Sequence, residues 1–280
     1  MALKTPYYRI LPRTERRGWY YGGEELVAVI DQAAKSVATQ FPGAMLRVGN
    51  LSRKEGGKIG TSVSHQSGRD ADIGLYCTDL DNAAVDPPRF PEFVEKGGTI
   101  IDRSGQYLFD TERNWAFVAA LLSDPKARVQ WIFLDTPLKY AMIDFAVRQG
   151  ASPKLVEKAE KVIMRPANSS PHAEHFHLRI FCTPRDLQYD CKDYGPEWGW
   201  VKEERKKNEE QLQQLVDRVM NGEKGLLSMD GSNDAPVPVL DNQPAPAPKQ
   251  IPAPIPVLPP TGGTPKYERA NLPTTIQTRL

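Results

Sequence analysis

Histidine is rare and clustered in this chain of 280 residues: three of its four histidines lie in the segment HAEHFH at positions 172–177. The fourth, His65, lies in the segment SHQSGRDADI at positions 64–73. Imidazole and carboxylate groups suit zinc, and a catalytic zinc ion usually keeps three protein ligands and one open position for water. The two segments together therefore predict one mononuclear zinc site.

The residues after Pro171 predict how the histidine cluster is arranged. Phe176 to Phe181 read as a β-strand, because aromatic and β-branched residues prevail there between two prolines. Successive side chains of a strand point to opposite faces, so His175, His177 and Arg179 share a polar face. Positions two apart lie roughly 6–7 Å from each other at the backbone. One imidazole can therefore bind the metal while its neighbour reaches the reacting atoms.

The segment around His65 predicts the other ligands. Polar and apolar residues alternate from Asp70 to Cys77, which places Asp72 on the polar face of a second strand. His65 precedes Asp72 by seven residues, across a turn-prone Gln-Ser-Gly run that lets the chain fold back. His65 and Asp72 thus supply two ligands, and we choose His177 as the third.

These residues also have other interpretations. The histidine cluster fits a structural metal site or a solvated patch, and His65 alone fits an ordinary core or surface histidine. A structural zinc site is normally closed by four Cys or His ligands, which here would enlist nearly every histidine and ignore the cysteines. Glu174 is similar to the glutamate of His-Glu-x-x-His enzymes, but that motif needs a helix and a second histidine at i+4. On an extended chain Glu174 should lean away from His175 and His177, so we discount it as a general base.

The two segments resemble one enzyme family. SHQSGRDADI followed by H-x-x-H-x-H closely resembles the penicillin-insensitive murein endopeptidases, within the wider group of lysostaphin-type enzymes, D-Ala-D-Ala metallopeptidases and sonic hedgehog-like domains. The resemblance covers roughly residues 10–195, and Gly56-Gly57 and Cys182-Thr183-Pro184 also fit it. The combined motif is specific, whereas His-x-His alone is a weak signal.

The resemblance implies a role for each of these residues. His65, Asp72 and His177 would bind zinc, and His172 and His175 would be catalytic. The implied reaction is hydrolysis of the D-alanyl–meso-diaminopimelyl cross-link of peptidoglycan by zinc-activated water, with His175 as general base. His172 would orient the nucleophile or stabilise developing charge. Composition and spacing do not reveal this substrate.

Rival functions remain open at this point. A D-alanyl-D-alanine carboxypeptidase or dipeptidase, or an endolysin-like peptidase, would keep the chemistry and change the bond. A zinc-stabilised binding module would bind without turnover. In a proline-rich adaptor, the domain would only localise the C-terminal tail.

The elements that position the site predict an α+β fold, in which a small antiparallel sheet carries the zinc site and is flanked by helices and long loops. Helical periodicity and capping residues predict helices over 24–40, 114–123, 138–149, 152–164 and 201–221. Strands are predicted over 44–48 and 129–134, besides the two site strands. Residues 7–23 are expected to be loop, and residues 80–107 a long surface excursion near the site. The spacing of Trp115, Trp131 and Tyr140 favours core packing over a substrate groove.

The three cysteines predict one disulfide and one free thiol. Cys182 and Cys191 are nine residues apart around a loop, which suits a local disulfide, and the family resemblance supports that pairing. Cys77 lies on the apolar face of its strand and is predicted to be an inert core thiol. The further cysteine pairs of the family are absent. A disulfide favours an oxidising compartment such as the periplasm.

Composition limits the partners. The formal charge is +1, from 36 basic and 35 acidic residues, so neither nucleic acid nor an anionic membrane surface is indicated. No apolar run approaches the 18 or more residues of a membrane-spanning helix. The first residues lack the apolar core of a secretion signal, so the expected periplasmic location requires a signal that was removed or another route of export. Peptidoglycan peptides are the expected binding partner.

The C-terminal part has a different character. We predict a metallopeptidase domain over 1–200, a charged helix over 201–227 and a Pro-rich disordered tail over 228–280. Twelve of the 25 prolines lie in 236–280, and such a segment favours extended polyproline II over a packed core. The tail is a flexible spacer, a tether across the wall, or a ligand for a proline-binding partner.

Overall fold

The computed structural model describes residues 5–60, 62, 64–167, 169–183, 186–187 and 191–220. The helices are α1 (Pro12–Arg17), α2 (Glu24–Gln40), α3 (Thr111–Ser123), α4 (Thr136–Arg148), α5 (Pro153–Val162) and α6 (Gly199–Met220). The strands are β1 (Tyr8–Ile10), β2 (Leu46–Val48), β3 (Asp70–Gly74), β4 (Cys77–Thr78), β5 (Ala84–Val85), β6 (Phe93–Lys96), β7 (Thr99–Asp102), β8 (Leu108–Phe109), β9 (Val129–Phe133), β10 (Ile163–Met164) and β11 (His175–Ile180).

A six-stranded sheet carries both predicted site strands, in the order β1-β2-β3-β11-β9-β10. β11 pairs antiparallel with β3 on one side and with β9 on the other. The outer pairs β1–β2 and β9–β10 are parallel. The predicted α+β class is confirmed, but this sheet is mixed, because helices cross over between the strands of each outer pair and return the chain in the same direction.

A second sheet, with antiparallel order β5-β4-β8-β7-β6, occupies much of the segment that was predicted to be a surface excursion. Gly97 and Gly98 form the β6–β7 hairpin turn with φ of 58° and 84°, values that glycine adopts at no steric cost. Phe93 and Phe109 are buried, with ring centroids 5.6 Å apart. This apolar contact, made across the sheet rather than along the chain, explains why the segment folds as strands.

The predicted helices form close to their expected positions because their capping residues act locally. Asp110 accepts a hydrogen bond from the backbone N–H of Arg113 at the start of α3. Ser152 accepts one from Leu155 at the start of α5. Two expectations differ from the structure: residues 7–23 contain β1 and α1, and α5 ends at 162 because the next two residues pair with β9.

The cysteines are arranged as predicted. Cys182 and Cys191 form a disulfide directly after the strand that carries the histidines. Cys77 is a buried free thiol, and burial, followed by nearby carboxylates, raises its pKa to about 12. The thiolate is therefore suppressed at neutral pH, as expected for a core cysteine.

The chain divides into two units, residues 1–218 and 219–280. Val201, in the first turn of α6, is buried, whereas Leu212, Leu215 and Val216 are exposed. No helix in the described part of the chain has the length and apolarity of a membrane span. The Pro-rich tail lies outside the described residues, so the domain boundaries within the C-terminal part remain a prediction.

Candidate metal centre and active site

Strand register brings two of the predicted ligands face to face. His177 of β11 lies opposite Asp72 of β3 in the antiparallel pair. His65 reaches them from the connection before β3, which turns at Gly68 with φ of 73°. A side chain at Gly68 would meet the backbone nitrogen of Gly23 at 2.8 Å, so this turn requires glycine.

Three imidazole nitrogens lie close to one carboxylate oxygen in the site. Oδ1 of Asp72 lies 3.0 Å from Nε2 of His65 and 3.3 Å from Nδ1 of His177. Nε2 of His175 also lies 3.3 Å from this oxygen. Oδ2 of Asp72 accepts a hydrogen bond of 3.1 Å from the amide of Asn50, which fixes the carboxylate plane. The structure thus brings the three predicted ligands together in a buried position.

The outer contacts of two imidazoles determine which nitrogens face Asp72. Nδ1 of His65 lies 2.7 Å from the carbonyl oxygen of Leu51, an acceptor, so this nitrogen carries the proton. Nε2 of His177 lies 3.0 Å from Oδ1 of Asp70, so it donates to that carboxylate. In neutral rings the other nitrogen then directs a lone pair at Asp72. Such converging acceptors are stable when the rings are protonated or when a cation lies among them.

The donor set and its spacing fit zinc. Ligand atoms 2.0–2.1 Å from a tetrahedral zinc ion lie about 3.3 Å from one another. The separations of 3.0 and 3.3 Å around Oδ1 of Asp72 are close to that value. The contacts from Leu51 and Asp70 to the far nitrogens are the orienting interactions that metal-binding histidines usually have.

A second group of side chains also has metal-ligand spacing. Ligand atoms of His172, His175 and His177 lie within 4.8 Å of one another, as do those of His65, Asp72 and His177. The all-histidine group of His172, His175 and His177 contains no carboxylate, so it offers a divalent cation no opposite charge. We therefore favour the group that contains Asp72.

The remaining histidines lie beside this centre. The rings of His172 and His175 have centroids 5.1 Å apart. His172 has φ of 59°, a strained value for a residue with a side chain, and its Nδ1 is 2.7 Å from the carbonyl oxygen of Ser170. The expectation that Glu174 leans away is wrong: Oε1 of Glu174 lies 3.4 Å from Nδ1 of His175. Because the strand begins only at His175, the alternation of side chains along the strand does not apply to Glu174.

The charges of the cluster shift several pKa values. Burial alone would raise the pKa of Asp72, but its three imidazole neighbours hold that pKa well below its usual range. Burial opposes protonation of His175, yet the carboxylates of Asp72 and Glu174 raise its pKa to about 9. The pKa of His177 is raised against burial by its two aspartate neighbours. Burial and the proximity of His175 lower the pKa of His172. Asp72 is therefore ionised and strongly attracts positive charge.

The histidines and Asp72 open onto a cleft of about 830 Å³. Of the three aromatic residues expected in the core, Trp115 is buried, Tyr140 is exposed, and half-buried Trp131 lines the cleft. Lys58 and Arg179 also line it.

Sequence reasoning missed the roles of Asp70, Asn50 and Phe90. Asp70 and Asp72 are two positions apart and therefore lie on the same face of β3, which could have indicated a role for Asp70. No local sequence pattern indicates a role for Asn50. The ring of Phe90 stacks on that of His175, with centroids 5.5 Å apart.

Comparison with curated proteins gives no match. A family model for penicillin-insensitive murein endopeptidases matches residues 1–220, which include every residue of the metal centre. This match confirms the resemblance of the two histidine segments and extends it through α6. The chain therefore belongs to the penicillin-insensitive murein endopeptidases and is a peptidase that hydrolyses peptidoglycan.

Proposed function

We propose that this protein is a zinc-dependent endopeptidase that hydrolyses the D-alanyl–meso-diaminopimelyl cross-link of peptidoglycan. The observation that carries the proposal is the convergence of two lone-pair nitrogens, from His65 and His177, on one oxygen of Asp72. A cation among these atoms would stabilise this arrangement, and its donor types and spacing suit zinc. Membership of the murein endopeptidase family supports the substrate class.

In this proposal His65, Asp72 and His177 hold the ion. Bound zinc would supply Lewis acidity, which promotes ionisation of water and polarises the amide carbonyl. Asn50 keeps the carboxylate of Asp72 oriented, and Asp70 keeps the ring of His177 oriented through its far nitrogen. These two contacts hold the ligand set in place before substrate binds.

His175 is the proposed general base. Its Nε2 lies 3.3 Å from Oδ1 of Asp72, so it faces the space where the attacking water must be. A cation bound at Asp72 would offset the carboxylate charge that raises the pKa of His175, so the neutral ring could take a proton from that water and later give a proton to the amine released from the broken C–N bond. His172, with its ring 5.1 Å from that of His175, is placed to stabilise negative charge that develops on the amide oxygen.

We place this activity in the periplasm. Cell-wall cross-links lie outside the cytoplasmic membrane, and the Cys182–Cys191 disulfide is stable in an oxidising compartment.

The test combines metal analysis of the purified protein with a peptidoglycan digest. We expect His65→Ala, Asp72→Ala and His177→Ala to lose metal and hydrolysis together. His175→Ala should keep the metal and lose turnover by about 10²- to 10⁴-fold, the usual contribution of a general base. Asp144→Ala, which removes an exposed carboxylate on α4, is the matched control and should change neither quantity.

The digestion products separate this proposal from its rivals. Conversion of cross-linked dimers to monomers supports an endopeptidase, whereas loss of terminal D-alanine supports a carboxypeptidase. If His172→Ala or His175→Ala lost the metal while His65→Ala kept it, the all-histidine group would be the metal site and our roles would be wrong.

A further inference from the structure

Arg179 follows His175 and His177 on the polar face of β11 and lines the same cleft. Positions two apart on a strand lie roughly 6–7 Å from each other. The backbone of Arg179 is therefore one such step beyond His177, and its guanidinium lies near Asp70, which also contacts His177. Its side chain is only 13% exposed, so any group it binds is partly shielded from water.

The neighbouring Arg69 has a structural role, and its hydrogen bonds provide a comparison for Arg179. Its Nη1 donates to the carbonyl oxygen of Ile180 at 3.2 Å and to Asp193 at 2.9 Å. Its Nη2 donates to the carbonyl oxygen of Lys192 at 3.1 Å. Both terminal nitrogens of Arg69 are thus occupied in holding the C-terminal end of β11.

Arg179 has much weaker protein contacts. Its Nη1 lies 3.4 Å from Oδ1 of Asp70, which already accepts a shorter bond of 3.0 Å from His177. Its Nε, like that of Arg69, is buried and has no hydrogen-bond partner among the described residues. Its guanidinium carbon lies over the ring of Trp131, 5.5 Å from the ring centroid, a contact that uses none of its hydrogen-bond donors. Donor capacity therefore remains at the edge of Arg179.

The charges of the cleft indicate what this edge would bind. Apart from the histidines, the charged residues that line the cleft in the described part of the chain are Asp72, Lys58 and Arg179. With Asp72 committed to a cation, the remaining charge is positive and suits an anionic ligand. The planar fork of an arginine matches a carboxylate in two parallel hydrogen bonds.

We infer that Arg179 binds the substrate carboxylate carried by the carbon atom that is bonded to the scissile nitrogen. This inference rests on the proposed function. In a D-alanyl–meso-diaminopimelyl cross-link this carboxylate belongs to the diaminopimelyl residue. In a D-alanyl-D-alanine terminus it is the terminal carboxylate. Arg179 would thus position the amine side of the bond beside the metal centre and His175.

The test compares a purified cross-linked muropeptide dimer with the same dimer amidated at that one carboxylate. For the wild-type protein we expect amidation to lower kcat/KM about 10- to 100-fold, mainly through KM, because a charge-assisted hydrogen bond is lost. A pentapeptide stem with a free or amidated terminal carboxylate forms the second arm and identifies which source of carboxylate is used.

Substitutions then assign the effect to Arg179. Arg179→Gln should lower kcat/KM on the free-acid dimer by about the same factor as amidation lowers it for the wild type. On the amidated dimer, kcat/KM of Arg179→Gln should be little lower than that of the wild type. Arg179→Lys should recover part of the preference for the free acid, because it keeps the charge without the fork. Arg148→Gln, which removes an exposed arginine of α4, is the matched control and should keep the full preference.

Metal content and binding separate substrate recognition from support of Asp70. If Arg179 merely supported Asp70, Arg179→Gln would lose metal and lose activity equally on both dimers, which would overturn the inference. Calorimetric titration of both dimers into His175→Ala protein should show the same preference without turnover. A wild-type protein that cleaves both dimers equally well overturns this inference alone. One that cleaves neither overturns the proposed function and this inference with it.

Discussion

At the scale of single residues, the contact between Glu174 and His175 is the feature that strand alternation predicted wrongly. Oε1 of Glu174 faces Nδ1 of His175 at 3.4 Å, while Nε2 of the same ring faces Asp72. A carboxylate beside Nδ1 favours the tautomer that carries its proton there, which leaves Nε2 free to accept a proton. We therefore propose that Glu174 positions the ring of the proposed general base.

We predict that Glu174→Ala lowers kcat about tenfold, because the ring of His175 loses the partner that fixes its tautomer and orientation. Glu174→Gln should lose less, since its amide oxygen can still accept from Nδ1. Bound metal, measured by elemental analysis, should stay unchanged in both variants, because Glu174 is outside the proposed ligand set. Glu157→Ala, on the exposed side of α5, serves as the control. Unchanged turnover in Glu174→Ala would contradict this role.

At the scale of elements, two glycines leave one part of the six-stranded sheet without side chains. A Cβ at Gly74, the last residue of β3, would lie 2.7 Å from the ring of Phe90 and 2.9 Å from Cβ of Arg47. A Cβ at Gly49, just after β2, would lie 2.9 Å from the same ring. Phe90, from the connection between β5 and β6, can therefore lie flat on the sheet and stack on His175. The connection between β5 and β6 thereby supports the ring of His175.

We predict that Gly74→Ala lowers the free energy of unfolding by about 1–3 kcal/mol, because the added methyl group overpacks this contact. It should also reduce turnover, since Phe90 must move from His175. Denaturant unfolding and muropeptide hydrolysis measure the two effects. Gly199→Ala is the control, because a Cβ there meets nothing within 4 Å. In the double variant with Phe90→Ala the losses should be less than additive, and strict additivity would exclude Phe90 as the cause.

The contrast between these elements shows what the sequence could predict. Helices α2 and α3 form close to their predicted positions because periodicity and the cap at Asp110 are local signals. Strands β5, β6 and β7 were missed because they are only 2, 4 and 4 residues long, too short to show a clear alternation of polar and apolar residues, although β6 and β7 form a local hairpin. The residues that we propose as ligands could be named from their types and spacing. Their outer partners could not, because Leu51 and Asn50 reach the site only through the tertiary fold.

At the scale of the whole molecule, the candidate metal centre joins segments more than a hundred residues apart. His65 and Asp72 precede α3, α4 and α5, whereas His177 follows these helices on β11, which lies between β3 and β9 in the six-stranded sheet. The fold nevertheless has a separate apolar core of fully buried residues such as Phe117, Leu121 and Phe176. Since this core does not depend on the ligand side chains, the metal should stabilise a protein that is already folded.

We predict that a chelator lowers the melting temperature and abolishes hydrolysis without unfolding the protein at 25 °C. A metal at 100 times its Kd stabilises the native state by about 2.7 kcal/mol, which corresponds to a shift of roughly 5–10 °C for a domain of this size. Thermal melts by circular dichroism, with and without chelator and after zinc is restored, measure the shift. Asp72→Ala should melt at the same temperature with and without chelator, because its site is already lost. Loss of the helical signal at 25 °C would instead indicate a structural zinc site, since such domains unfold when their metal is removed.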